Sequence, residues 1–196
     1  KMGSARWLRA KEAAQRSAKS VALDLLRVQA VRNSAEGHPF PHDELPQRLF
    51  EQSFEFDETP DQRRATDEIK HDMEAIKPMD RLLCGDVGYG KTEVAMRAAF
   101  KCVSSGRQVV ILVPTTVLAQ QHYYSFNERF AEHPITIETL SRFKTKQEQR
   151  EIIARLRTGS VDIVIGTHRL VQGDVQFRDL GLVIIDEEQR FGVVHK

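Results

Sequence analysis

The chain has 196 residues, 40% apolar and 29% charged, with 29 Lys and Arg against 28 Asp and Glu. These values predict a globular protein of one ordinary domain with an appendage, or of two small domains, and exclude disordered and fibrous chains. There is no apolar run of the ~18–20 residues that a membrane span needs, and the N-terminus lacks the apolar core of a secretory signal peptide. Because the chain also has only two cysteines, we expect a cytoplasmic protein with no membrane partner.

Residues 1–36 form a basic segment with a helical pattern. They carry eight Lys and Arg against three Asp and Glu, whereas the rest of the chain is net acidic. Residues 5–33 contain no Pro or Gly, and small or branched apolar residues recur every three or four positions, which predicts an amphipathic helix. Its stripe consists of Ala14, Ala18, Val21, Leu25 and Val28. We expect the stripe to dock on the protein and the basic face to be solvated. A nucleic-acid contact and a partner-binding helix are the alternatives.

Residues 37–58 show no clear period and predict a linker that packs on the following domain through Phe50, Phe54 and Phe56. From residue 59 onward, short apolar runs alternate with helical stretches, which is typical of βαβ units. The predicted strands are 81–84, 109–113, 136–140, 162–165 and 182–185, and the predicted helices are 59–76, 91–105, 117–130 and 146–156. The sequence therefore predicts a doubly wound, mainly parallel α/β domain. Cys84 and Cys102 are expected to be small buried residues in it.

One segment has the pattern of a phosphate-binding loop. Gly85-Asp86-Val87-Gly88-Tyr89-Gly90-Lys91-Thr92 matches G-x-x-x-x-G-K-[ST] between a predicted strand and a predicted helix. Its backbone N–H groups and the helix N-terminus suit phosphate groups. Lys91 is predicted to reach the β- and γ-phosphates of ATP, and Thr92 to ligate Mg²⁺. The alternative is a glycine-rich turn with a surface lysine.

Two further motifs complete the predicted nucleotide site. Asp186 and Glu187 follow the last strand, and we expect Asp186 to hold Mg²⁺ and Glu187 to orient or deprotonate the attacking water. A surface turn or a helix cap is the alternative for this acidic pair. Upstream, Thr59-Pro60-Asp61-Gln62 predicts a helix start, and the amide of Gln62 is suited to pair with the adenine edge.

Candidate DNA contacts follow three of the other strands. Hydroxyl, backbone N–H and basic groups at these places suit contacts with DNA phosphates. The candidates are Thr115, Thr116, Arg142, Thr167, His168 and Arg169, with Lys144 beside them. Thr115 can instead serve only as the cap of the next helix.

Residues 58–196 resemble superfamily 2 helicases and translocases. The motifs above stand in the order of the Q motif and motifs I, Ia, Ic and II of that superfamily. The matching segments are 59–62, 85–92, 114–116, 166–169 and 186–189. Residues 86–95 and 186–193 are similar to the family of bacterial transcription-repair coupling factors, with RecG as the nearest relative. RecG typically has Gln-His where this chain has Glu188-Gln189. The resemblance implies a RecA-like P-loop lobe with a DEEQ box at Asp186, Glu187, Glu188 and Gln189.

The resemblance also implies an ATP- and Mg²⁺-dependent double-stranded DNA translocase. Such a protein displaces stalled RNA polymerase and recruits excision-repair proteins through other domains. Residues 1–36 would be a relay-type connector helix, and the second RecA-like lobe, with its arginine finger, would lie elsewhere in a longer protein. Because such a finger is worth ~10³–10⁵ in rate, we expect little or no ATPase from this chain alone. A RecG-like fork-remodelling lobe and a nucleotide-regulated partner-binding module remain the alternative functions.

Overall fold

The computed structural model describes residues 5–187. Within them lie six α-helices, four β-strands and one 3₁₀ turn at His168–Val171. The helices are α1 Ala5–Ser34, α2 Leu45–Gln52, α3 Pro60–Met73, α4 Lys91–Ser104, α5 Thr116–Arg129 and α6 Lys146–Thr158. The strands are β1 Gln108–Leu112, β2 Ile137–Leu140, β3 Ile163–Gly166 and β4 Leu180–Ile185. Among these residues, no helix is both long enough and apolar enough to cross a membrane.

The four strands form one parallel sheet in the order β2-β3-β1-β4. Val110 of β1 lies between Val164 of β3 and Val183 of β4, which fixes the register at the centre of the sheet. Four of the five predicted strands and all four helices predicted after residue 58 are confirmed, with ends that differ by at most three residues.

Helices cover both faces of this sheet. On one face Val109 and Ile111 of β1 pack in a cluster with residues of α2, α3, α4 and α5. On the other face Val110 and Leu112 pack with residues of α6 and the 3₁₀ turn. Because successive residues of a strand point to opposite faces, the continuous apolar run of β1 serves both clusters. The predicted doubly wound α/β fold is confirmed.

The strand predicted at 81–84 is wrong. In the structure these residues are assigned no strand, and the exposed fraction of Leu82 is 79%. Arg81 forms ion pairs with Glu68 and with Asp72 (2.7 Å) of α3, which hold the segment beside that helix and outside the sheet. Cys84 is exposed, so its predicted burial is also wrong, whereas Cys102 is buried as expected.

The linker at 37–58 contains a helix that the sequence did not predict. Helix α2 buries Phe50, whose ring stacks on Phe100 of α4 with 4.2 Å between centroids. Of the three predicted anchors, Phe50 is therefore confirmed, and Phe54 is half-buried. The exposed fraction of Phe56 is 71%, so it is not an anchor, and buried Phe40 takes that role.

Ion pairs reinforce the contact between the linker and the domain. The ammonium group of Lys101, on α4 and 3% exposed, donates to the Pro41 carbonyl (2.8 Å) and to Asp43 (2.7 Å) of the linker. Arg97, one turn earlier on α4, pairs with Glu58 at the other end of the linker. The linker is thus fastened to α4 by apolar burial and by charge.

Helix α1 has the predicted bounds but not the predicted packing. Its apolar residues Val21, Leu25 and Val28 are each more than 50% exposed. Within the described residues the stripe docks on no other element, and the helix is joined to the rest by an ion pair between Arg32 and Asp80. The expectation of a docked stripe is wrong for this structure. The chain instead reaches the domain through the segment after α1, where the backbone N–H groups of Gly37 and Phe40 donate to the carbonyls of Ile76 (2.6 Å) and Met73 (2.9 Å).

Candidate nucleotide site

The site candidates meet at one edge of the sheet. All four strands are parallel, so their carboxyl ends lie together, and this is the edge at which open α/β sheets bind ligands. Asp186 directly follows β4, and its backbone N–H donates to the carbonyl of Leu112 at the end of β1 (3.0 Å). The phosphate-loop residues 85–90 lead into α4, which packs against the same sheet.

Lys91 closes the phosphate loop on itself. Its ammonium group donates to the carbonyl oxygens of Gly85 (2.6 Å) and Asp86 (2.8 Å). Gly88 and Gly90 have φ angles of 85° and 74°, in the region where only glycine is unstrained. A bound phosphate would offer Lys91 a charged acceptor in place of two neutral carbonyls, and charge-assisted hydrogen bonds are the stronger kind. The lysine is thus placed to exchange loop contacts for ligand contacts.

Gln62 joins the start of α3 to this loop. Its amide oxygen accepts from the backbone N–H of Thr59 (2.8 Å), whose hydroxyl accepts in turn from the backbone N–H of Gln62, which confirms the predicted helix start. The amide nitrogen donates to the carbonyl of Tyr89 (2.9 Å). A Cβ on Gly90 would lie 2.2 Å from that nitrogen, so a larger residue there would displace the Gln62 amide from the loop. Both ends of the amide are used within the protein, and the adenine contact stays a prediction.

Asp186 is held by a partner that the sequence did not reveal. The Nε2 atom of His122, on α5, donates to Oδ2 of Asp186 at 2.7 Å, and the N–H of Glu187 donates to Oδ1 at 3.0 Å. The hydrogen bond from His122 holds the pKa of Asp186 below its ordinary value, with the charge of Lys91 acting in the same direction and burial against it. Asp186 is therefore an ionised carboxylate, and each oxygen retains a lone pair.

Glu187 has an unusual backbone. Its φ angle of 56° lies in the left-handed region, where it is the one residue other than glycine among those described. Such a conformation costs about 1–3 kcal/mol and is found mostly at functional sites. Glu188 and Gln189, the other two residues of the predicted DEEQ box, lie outside the described residues.

The donors present fit Mg²⁺ that arrives with a nucleotide. Mg²⁺ prefers one or two protein oxygen ligands together with phosphates and water. Ionised Asp186 offers such a ligand, and half-buried Thr92 lies in the first turn of α4 beside Lys91. Residues 5–187 contain no group of three or more His, Cys, Asp or Glu that could hold a metal by itself.

The DNA candidates differ in their exposure. Thr115 is exposed and caps α5, since its hydroxyl accepts from the N–H of Leu118 at 3.2 Å; the neighbouring Thr116 is half-buried, and Arg142 is exposed. Thr167 is only 5% exposed, and Arg169 is engaged in a bidentate ion pair with Asp174 at 2.6–2.7 Å. His168 is the exposed member of that group.

Comparison with known proteins assigns the chain to a family. The sequence profile of the DEAD/DEAH box helicases matches residues 59–196. The chain belongs to the DEAD/DEAH box helicase family. The predicted resemblance to superfamily 2 helicases and translocases is confirmed, and the DEAD/DEAH box match covers all five of the motif segments quoted above.

Longer proteins carry segments similar to the whole chain. It is 57% identical over its full length to the transcription-repair-coupling factor of Bacillus subtilis (strain 168), and 52% identical to that of Staphylococcus aureus (strain USA300). The chain spans about a sixth (17%) of the length of these curated relatives. The chain is therefore similar to part of each coupling factor.

Solved helicase structures share the fold. RecG bound to a three-way DNA junction superposes with a TM-score of 0.78 and 43% identity, over 85% of this chain and 23% of that one. The yeast DEAD-box splicing factor Prp28 shares the fold at 18% identity, with a TM-score of 0.56 over 81% of this chain and 40% of that one.

Proposed function

We propose that the chain is the first RecA-like lobe of an ATP-dependent double-stranded DNA translocase in the cytoplasm. In this proposal the full-length protein displaces stalled RNA polymerase and couples transcription to nucleotide excision repair. The observation that carries the proposal is a phosphate loop closed by Lys91 together with Asp186, a carboxylate held by His122 directly after β4 at the carboxyl edge of the sheet. Identity of 52–57% along the whole chain to transcription-repair-coupling factors supports the specific activity.

The proposal divides the chain into three parts. Residues 1–36 form a relay-type connector helix, residues 37–58 a linker that packs on the lobe, and residues 59–196 the lobe itself. The ion pairs of Lys101 and Arg97 with the linker support this division, because they fasten it to the helix that begins at the phosphate loop.

Each site residue has one task in this proposal. Bound Mg²⁺-ATP supplies the phosphoryl group that is transferred to water. The N–H groups of residues 85–90 and the Lys91 ammonium bind and orient its phosphates, while Thr92 and Asp186 hold the metal. Glu187 orients the attacking water and accepts its proton. Gln62 exchanges its bond to the phosphate loop for the adenine edge.

The DNA duplex lies along the carboxyl edge of the sheet in this proposal. Exposed Thr115, Arg142 and His168 and half-buried Thr116 contact its phosphates, which position a duplex without selecting its sequence. A second RecA-like lobe in the full-length protein supplies the arginine finger. RNA polymerase and excision-repair proteins bind its other domains.

The first test is calorimetric titration of this chain with Mg²⁺-ATP, with hydrolysis followed in parallel. We expect binding that Lys91→Ala abolishes, without turnover. DNA-stimulated hydrolysis by this chain alone would contradict the expected need for a second lobe. Binding that ignores Lys91→Ala would contradict the nucleotide site itself.

A RecG-like fork-remodelling function is the second candidate, favoured by the 43% identity to RecG bound to a three-way junction. The full-length protein should displace a stalled RNA polymerase if it is a coupling factor. Efficient unwinding of a three-way junction without that displacement would favour the RecG-like function. If Glu187→Gln leaves function unchanged, the nucleotide serves only as a ligand that regulates partner binding.

A further inference from the structure

Helix α5 contacts Asp186 and the helix that follows the phosphate loop, and a candidate DNA contact caps its N-terminus. Thr115, His122 and Arg129 are spaced by seven residues along it, which is nearly two helical turns. They therefore lie along one face, with each about 10 Å farther along the axis. The first caps the helix at the predicted DNA edge, the second holds Asp186, and the third contacts α4.

The contact between His122 and Asp186 is built rather than incidental. The imidazole is only 12% exposed, and its ring packs against that of Phe126 at 6.2 Å between centroids. The backbone of Asp186 is fixed independently, by its bond to Leu112 at the end of β1. The side-chain orientation of Asp186 thus depends on a histidine from another element, 64 residues away in sequence.

The far end of α5 is tied to the phosphate-loop helix. The Nε and Nη2 atoms of Arg129 donate to the two carboxylate oxygens of Glu93, each at 3.0 Å. Glu93 is the third residue of α4 and lies two residues after Lys91. One rigid helix therefore spans from the DNA candidate Thr115, past the metal ligand Asp186, to the start of α4.

We propose that His122 is a positioning residue that orients Asp186 for Mg²⁺, and that α5 transmits DNA contact at Thr115 and Thr116 to the nucleotide site through it. The inference rests on the proposed function. Because a helix moves as a unit, a shift of its N-terminus by DNA moves the imidazole, and the carboxylate that it holds follows.

The test uses the full-length protein and three substitutions. His122→Ala removes the hydrogen bond, His122→Gln keeps an N–H donor, and Ser125→Ala changes an exposed residue of the same helix as a control. The measurements are the Mg²⁺ concentration that gives half-maximal binding of a non-hydrolysable ATP analogue, followed by calorimetry, and the ratio of DNA-stimulated to basal hydrolysis rates. We expect His122→Ala to raise that concentration at least tenfold, as loss of a partner of a metal ligand does, and to lower the ratio at saturating Mg²⁺. His122→Gln should restore most of both values, and Ser125→Ala should change neither.

Two outcomes would overturn the inference. One is a folded His122→Ala protein with wild-type activity, in which the Mg²⁺ requirement and the DNA ratio are unchanged. The other is a uniform loss of activity with a lower melting temperature and no change in either quantity, which indicates a purely structural histidine. If the alanine variant does not fold, His122→Asn, with its shorter amide, is measured against the same two outcomes. If Lys91→Ala does not reduce ATP hydrolysis by the full-length protein, or if DNA does not stimulate that hydrolysis, the proposed function would instead be refuted.

Discussion

Replacing Phe50 tests whether the linker is part of the lobe. Its side chain is 1% exposed, stacks on Phe100 at 4.2 Å and lies 5.0 Å from the ring of Phe130. The guanidinium carbon of Arg129 sits 4.0 Å above the ring. We expect Phe50→Ala to open a cavity among these groups and to destabilise the whole domain.

The size of this effect follows from the burial. A buried Phe→Ala change costs about 3–5 kcal/mol, and aromatic contacts add to the loss of apolar burial. With a denaturant slope of about 2 kcal/mol per molar urea, a loss of about 4 kcal/mol lowers the unfolding midpoint by about 2 M. Phe56, in the same linker but 71% exposed, is the matched control. Its replacement by Ala should change the free energy of unfolding by less than about 0.5 kcal/mol.

The assay is urea unfolding of the chain, followed by circular dichroism. The unfolding midpoints should fall in the order Phe56→Ala, Phe50→Leu, Phe50→Ala, from highest to lowest. The leucine variant keeps most of the volume and provides a measurement if the alanine variant does not fold. Equal midpoints for the Phe50 and Phe56 variants would refute the packing of the linker on the lobe.

Two further predictions concern titration and thiol chemistry. Burial is the largest single influence on the pKa values of Asp43 and Glu74 and raises both, but it is outweighed by the combined hydrogen bonds and charges of Lys101 with Lys70 at Asp43, and of Lys101 with His42 at Glu74, so both pKa values lie below their ordinary range. Carboxylates with lowered pKa values stabilise the fold above about pH 5 and lose this effect as the pH falls. The free energy of unfolding should therefore drop between about pH 5 and 3, and it should drop less steeply in Lys101→Met. An unchanged slope in that variant would contradict the role of Lys101. Burial raises the pKa of Cys102 to about 12, whereas Cys84 is exposed, so a thiol reagent at pH 8 should label the folded chain once, at Cys84. Labelling at both thiols of the folded protein would contradict this assignment.

Local patterns predicted most of the α/β fold. The phosphate loop depends on eight consecutive residues, and β1, β3 and β4 are largely apolar runs, so these features are visible without knowledge of the tertiary structure. The capping box at Thr59 and Gln62 is likewise local. These are the features in which sequence and structure agree.

The sequence-based predictions failed where contacts between residues distant in sequence determine the structure. The segment 81–84 has an apolar pattern, but it joins no strand and lies beside α3, to which Arg81 is ion-paired. Helix α2 was missed because it has only eight residues, with Pro46 in its first turn. His122 gave no motif of its own, since its partner lies 64 residues later; the one available clue was its spacing of seven from Thr115.

The seven-residue spacing along α5 has a consequence for how this segment can change in length. Inserting or deleting one residue between Thr115 and Arg129 would rotate everything beyond it by about 100° around the helix axis. His122 would then face away from Asp186, or Arg129 from Glu93, although all four of these side chains would still be present. The loop between α5 and β2 carries no such constraint of angle, so tolerated changes of length should fall there and spare the helix.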